Sequence, residues 1–297
     1  MEHLALSKSN RSDEAARVAV WVCVVAALVA VAAPAVAQEE SSPRALRVCQ
    51  DPNNLPFSNE SGEGFENRIA ALLAQRMNLP LEQFWYPQRI NIVRNTLRYK
   101  LPGESDYRCD LLTGVPAEWG AVASTKPYFR STYVIAYVKG RELAFDSPEA
   151  FLALPKQRLA GLKIGVYDRT PATQWLLKHG LIERAVPFRI LNADPHHYPG
   201  RIVERDLVEG KIDVAIVWGP IGGYFAKRVK EVEIVLVPLK SEPGVQFEFD
   251  VAMGVRRGEP EWLKRVDEAL SASREEIVAV LREYGVPMVD ESGIVSR

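Results

Sequence analysis

Histidine, methionine and cysteine are scarce in this chain of 297 residues, with four, four and three of each. Two of the histidines are adjacent, in Asp194-Pro195-His196-His197-Tyr198. Adjacent side chains point apart and no second ligand set is spaced for zinc, so this stretch reads as a solvated loop and no metal site is expected. An excess of either charge is also missing, with 37 Lys+Arg against 38 Asp+Glu. That balance excludes the basic surplus that holds nucleic acid or an anionic membrane. No Gly-x-Ser-x-Gly elbow, phosphate loop, calcium loop or dinucleotide fingerprint occurs. The longest apolar run, Val18 to Ala33, falls short of the roughly 20 residues a membrane-spanning helix needs.

That run has a context. Lys8, Arg11 and Arg17 precede it, and Ala35-Val36-Ala37 follows with the small-x-small pattern of a signal-peptidase site. Residues 1–37 are therefore expected to be a cleaved signal peptide, the alternative being an uncleaved anchor, and residues 38–44 a linker. The processed protein is expected in the periplasm, with no membrane insertion. Cys23 leaves with the signal, and Cys49 and Cys109 remain. In an oxidising compartment two remaining cysteines most simply pair, the alternative being two separately buried thiols. A hydrophobic content of 47% with modest net charge indicates a globular chain.

Strand and helix patterns then alternate. Leu46-Arg47-Val48 reads as a strand, and Phe65, Ile69, Leu72 and Leu73 fall at helical spacing over about 65–77. Leu81–Tyr86 reads as a second strand, residues around Ile92–Leu97 as a helix, and Asp110–Gly114 as a strand entering a glycine turn. Ser131–Val138 is β-rich with no helix directly after it, which suits a strand leaving one lobe for another. A second alternating set follows: strand Lys163–Val166, a helix opened by Thr170-Pro171, a helix over about 201–209, and strand Ile212–Val217. Phe249–Val255 is the returning strand, and two helices close the chain. The fold class is thus α/β with two lobes, 45–133 plus 250–297 and 134–249, joined by two crossing strands with a cleft between. Ligands in such sheets sit beyond the C-terminal strand ends, which places Gln50–Ser58, Val115–Thr125, Tyr167–Ala172 and the loop after Val217 at the cleft.

The first of these loops is rigid. Pro52 and Pro56 fix φ and remove two donors, and Asn53 and Asn54 bond to nearby backbone, so the loop presents Asp51 and Phe57 in a fixed pose. Such a preformed lip suits recognition of a ligand or a partner; the alternative is a merely stable turn.

The blocks "CQDPNNLPFSNESGEGFENRIA", "KPYFRSTYV", "LKIGVYDRTPA", "GKIDVAIVWGPIGGYFA" and "DVAMGVRRGEPEWLKRVDEAL" resemble extracellular solute-binding proteins of the amino-acid-binding kind. Within them the first and the Trp-Gly-Pro block are similar to the quinoprotein-dehydrogenase-associated MxaJ/XoxJ group. The resemblance spans residues 46 to about 285. It implies a two-lobed periplasmic-binding-protein fold of type II and a non-enzymatic periplasmic protein that accompanies a PQQ-dependent alcohol dehydrogenase, often a methanol dehydrogenase, in bacteria using one-carbon compounds. PQQ and any metal would then belong to that partner, with none in this chain.

The receptors of that superfamily clamp a carboxylate with an arginine after the first-lobe strand and an ammonium with an aspartate after the second-lobe strand. Here those places hold Ala121 and Trp218-Gly219-Pro220, while Asp213 sits at a strand start as a turn residue. An ordinary amino-acid receptor is therefore not expected. Phe57, Trp119 and Trp218 replace the clamps at strand-end loops, with Tyr128, Phe129 and Tyr224 read as interior packing. The candidate contact set is Asp51, Asn53, Phe57, Trp119, Thr170 and Trp218, Thr170 reading first as a plain helix cap. The leading reading is an accessory protein that binds the dehydrogenase, including its apo form, and assists maturation or activation. The alternatives are an importer receptor for an unknown solute and an enzyme using Glu66 or Glu118, although Glu66 reads as a solvated helix residue.

Overall fold

Leu46, Val48 and Cys49 have no exposed surface, and the run they make is β1 (Leu46–Gln50). The computed structural model describes residues 45–87, 91–189, 198–290, 292–293 and 295–296; the signal segment, the linker and His196-His197 lie outside these. After β1 come the hairpin β2 (Asn53–Asn54) and β3 (Ser58–Asn59), then α1 (Phe65–Met77) and β4 (Leu81–Trp85). The chain continues through α2 (Ile92–Asn95), β5 (Leu111–Pro116), β6 (Ala123–Ser124) and β7 (Phe129–Ser131).

The chain crosses at Thr132. β8 (Tyr133–Val138) opens the second lobe, followed by α3 (Pro148–Leu152), α4 (Lys156–Gly161), β9 (Ile164–Tyr167), α5 (Pro171–Lys178) and β10 (Ala185–Phe188). Where an α-helix was expected near residues 201–209, Ile202–Leu207 is wound as a π-helix. β11 (Val214–Trp218), α6 (Gly219–Arg228) and β12 (Ile234–Pro238) complete the lobe. β13 (Phe249–Val255) returns, and α7 (Pro260–Ala272) and α8 (Arg274–Glu283) follow. A short hairpin not expected from the sequence, β14 (Met288–Val289) with β15 (Val295–Ser296), ends the fold.

The first-lobe sheet runs β15-β14-β7-β13-β5-β1-β4, with β6 beside β13; the second runs β10-β9-β11-β8-β12. β4, β1 and β5 are parallel, as are β10, β9 and β11, and the crossing strands β8 and β13 are antiparallel to their neighbours. The central strands β1, β8, β9 and β11 are buried and read in the sequence as largely apolar runs, whereas the edge strands β4 and β10 are only partly buried. α1 lays Phe65, Ile69 and Leu73 on the first-lobe core, against Trp262, Val266 and Leu270 of α7, and stops at Asn78 in a left-handed conformation (φ 52°). Each such fully buried side chain contributes about 1.5–3 kcal/mol.

Cys49 and Cys109 are bonded, with Cα atoms 5.7 Å apart and neither cysteine exposed. The bridge ties β1 to the residue two before β5, at the base of which Asp110 accepts from Arg47 Nε (2.7 Å) and Arg256 Nη2 (2.5 Å).

Candidate functional site

The lip is built from its own hydrogen bonds. The Asp51 N–H donates to Ser58 Oγ (3.1 Å), the Ser58 hydroxyl donates back to the Asp51 carbonyl (2.9 Å), and the Asn53 N–H donates to Asp51 Oδ1 (2.9 Å). The first N–H groups of α1, unpaired in an isolated helix, are spent on this lip: Phe65 donates to the Pro56 carbonyl (2.9 Å) and Glu66 to that of Phe57 (2.8 Å). Asn67 turns back from the same turn and accepts from the N–H groups of Asn59 (3.1 Å) and Gly64 (2.9 Å). Helix and lip therefore form one rigid piece.

Phe57 leaves that piece edge-on to Phe65, ring centroids 5.3 Å apart, and packs against the first-lobe core and the second-lobe cluster around Val134, Tyr167 and Phe225 alike. Trp218 does the same from the other side. It is the last residue of β11 rather than a loop residue, and its ring lies 5.4 Å from Tyr133 and 5.9 Å from Phe249, both on crossing strands. Burial pushes the Tyr133 phenol up to about 12. Phe57 and Trp218 thus each pack against the cores of both lobes.

Other expectations are revised. Trp119 packs on a separate cluster around Cys49, Cys109, Leu112 and Val122, with Ala121 beside it, so it does not join Phe57 and Trp218. Thr170 stands at the N-cap position of α5 but makes no cap bond; it is buried, and its hydroxyl donates to the Tyr167 carbonyl (2.8 Å). Tyr224 is half-buried against Tyr284 rather than interior. Asp213 does sit at the strand starts, accepting from the Lys163 N–H (2.8 Å).

Glu66 departs furthest from its sequence reading. It has no exposed surface; Thr113 Oγ1 donates to one carboxyl oxygen (2.6 Å) and the Tyr128 hydroxyl to the other (2.9 Å). β5 does not turn at Gly114 as expected but passes through it at φ +66°, and any Cβ there would sit 2.5 Å from Glu66 Oε1. Burial, opposed by those two hydrogen bonds and assisted by nearby Asp51, pushes the Glu66 carboxyl up to about 7. Both carboxyl oxygens are thus engaged within the first lobe. Glu118 is exposed. Among the described residues no group of three or more His, Cys, Asp or Glu is arranged to hold a metal.

No protein-family profile matches the chain. The solved periplasmic binding protein XoxJ of Methylobacterium extorquens is 36% identical, with a TM-score of 0.65 over 83% of this chain and all of that one. The chain belongs to the MxaJ/XoxJ family. Protein MoxJ of Methylorubrum extorquens is 29% identical over 96% of this chain and 98% of its own length, and that of Paracoccus denitrificans 27% over 90% and 96%. The MxaJ/XoxJ frame accounts for the two-lobed scaffold. Among the described residues, no helix is long and apolar enough to cross a membrane.

Proposed function

We propose that this chain is a periplasmic accessory protein of a PQQ-dependent methanol or related alcohol dehydrogenase, binding it, with preference for the apo form, and assisting its maturation or activation. In this reading it performs no catalysis itself, and PQQ and the metal belong to the dehydrogenase. The observation that carries the reading is that Phe57 and Trp218 each pack on the cores of both lobes, while the positions aligned with the receptor clamps hold Ala121 and Trp218-Gly219-Pro220. A buried ammonium or carboxylate needs a paired, hydrogen-bonded partner, and those positions provide none. The names MoxJ and XoxJ borne by its relatives support the link to methanol oxidation.

Contact with the dehydrogenase runs through the lip, Asp51, Asn53 and Phe57, and through the half-exposed faces of Trp119 and Trp218. Rigid aromatics of this kind anchor interfaces at low entropic cost. The test is calorimetric titration of the protein purified from the periplasm against its organism's methanol dehydrogenase, apo and metal-loaded. Tighter binding to the apo form is expected, weakened at least about tenfold by Phe57→Ala or Trp119→Ala. No binding to either folded form overturns the proposal.

A further inference from the structure

The two lobes also touch between α6 and the residues that follow α8. Tyr224 on α6 belongs to the second lobe, and Tyr284, just past α8, to the first. Their rings stack with centroids 5.6 Å apart and planes 14° from parallel. A guanidinium closes each end of the stack: Arg68 of α1 lies 5.6 Å from the Tyr284 centroid, and Arg228 of α6 lies 5.3 Å from that of Tyr224. The result is a short ladder of two rings joined across the lobes, each with a guanidinium of its own lobe over it.

Polar contacts hold the rungs in place. Arg68 pairs with Glu283 (2.7 Å), the Tyr284 hydroxyl donates to the Glu63 carbonyl (2.6 Å), and Lys227 Nζ donates to the Glu283 carbonyl (2.7 Å). Beneath them the backbones are in contact: a Cβ on Gly223 would overlap the Gly285 carbonyl, and one on Gly219 would overlap the Thr132 carbonyl and crowd Pro287. The adjoining groove, about 760 Å³, is lined by four cationic and four carboxylate side chains, a balance that selects no charged ligand.

α6 starts at the crossing point, where the Gly219 N–H donates to the Thr132 carbonyl (2.8 Å). At 1.5 Å per residue, Arg228 lies roughly 13 Å along the helix from that pivot. Rotation of one lobe against the other about that pivot must therefore slide Tyr224 across Tyr284, and the Gly223–Gly285 contact blocks a closer approach.

We propose that the Tyr224–Tyr284 stack and the Lys227–Glu283 hydrogen bond form an interlobe latch, braced within each lobe by Arg228 and Arg68, that holds the lobes at one fixed angle. These two crossing contacts bias the latched arrangement on the order of tenfold to a hundredfold. This holds whether or not the dehydrogenase is the partner.

The test is a spin-label distance measurement between Glu82→Cys in the first lobe and Lys156→Cys in the second, both exposed positions. The otherwise unchanged protein is expected to give one narrow distance, and Tyr224→Ala a second, longer one. Lys227→Met, at an exposed side chain whose loss removes the other crossing contact and leaves the core intact, is expected to give the same second distance. Tyr284→Phe keeps the ring and loses only the hydroxyl, so it should retain the single distance. Two distances in the unsubstituted protein, a single unchanged distance in both Tyr224→Ala and Lys227→Met, or the second distance in Tyr284→Phe would each overturn the latch.

Discussion

The backbone N–H of Glu66 donates to the carbonyl of Phe57 at 2.8 Å, so a buried ionisable residue and the aromatic tip of the lip are one bond apart. Its carboxyl, pushed up to about 7 by burial, has an ordinary value of 4.5 in the unfolded chain. The folded state therefore holds this proton more tightly. The resulting stabilisation is complete below about pH 4.5 and is lost as pH rises through about 7, a change on the order of 3 kcal/mol. Glu66→Gln keeps the shape and removes the titration. Urea unfolding at pH 5 and pH 8.5 should show the wild type losing roughly 2–3 kcal/mol relative to Glu66→Gln across that interval. Parallel curves would mean the carboxyl titrates normally.

The disulfide closes a loop with a sequence separation of 60 between Cys49 and Cys109. Restricting an unfolded loop of that size corresponds to about 4 kcal/mol in the chain-entropy account. The double variant Cys49→Ala/Cys109→Ala should lose about that much stability, read from the denaturation midpoint without reductant. A loss below about 1 kcal/mol would show that the unfolded chain is already constrained at β1 and β5.

Asp110 is 3% exposed and accepts from two guanidiniums, those of Arg47 and Arg256, while the indole N–H of Trp262 donates to its carbonyl (3.0 Å). Asp110→Asn removes the carboxylate that the two guanidiniums share, leaving Arg256 with Glu259 (2.6 Å) and Arg47 with Asp106 (3.2 Å). The expected cost is about 1.5–3 kcal/mol, the loss of a charge-assisted hydrogen bond in a buried place. In a double-mutant cycle with Arg256→Gln, the second substitution should add far less than it costs alone. Simple additivity would place the stabilisation elsewhere in the network.

Legibility followed range. The helix Phe65–Met77 and the strands β1, β9 and β13 were readable because burial repeats at helical spacing or as apolar runs within a few residues. The lobe exchange near Thr132 was readable because a β-rich stretch lacked its helix. The state of Glu66 was not, since Thr113 and Tyr128 lie 47 and 62 positions away and local spacing showed only polar neighbours. Trp119 was assigned to the cleft from its loop, whereas the direction of its side chain depends on the cluster around the disulfide. Asn67 carried a usable local signal, a side-chain acceptor three residues after a glycine cap that has none.

Gly223 provides the last prediction because its sign is unusual. In a helix interior, glycine to alanine normally stabilises by about 1 kcal/mol. On α6 the new Cβ would meet the carbonyl of Gly285, a backbone atom with no rotamer to move aside. Forcing the helix off that segment costs about 1–3 kcal/mol, which exceeds the propensity gain. Gly223→Ala should therefore lower the thermal midpoint. The comparison is Gly161→Ala at the end of α4, where a Cβ meets nothing within 4 Å and the midpoint should hold or rise. If Gly223→Ala behaves like Gly161→Ala, α6 stands further from the Gly285 segment in solution, and the close contact beneath the tyrosine ladder is lost with it.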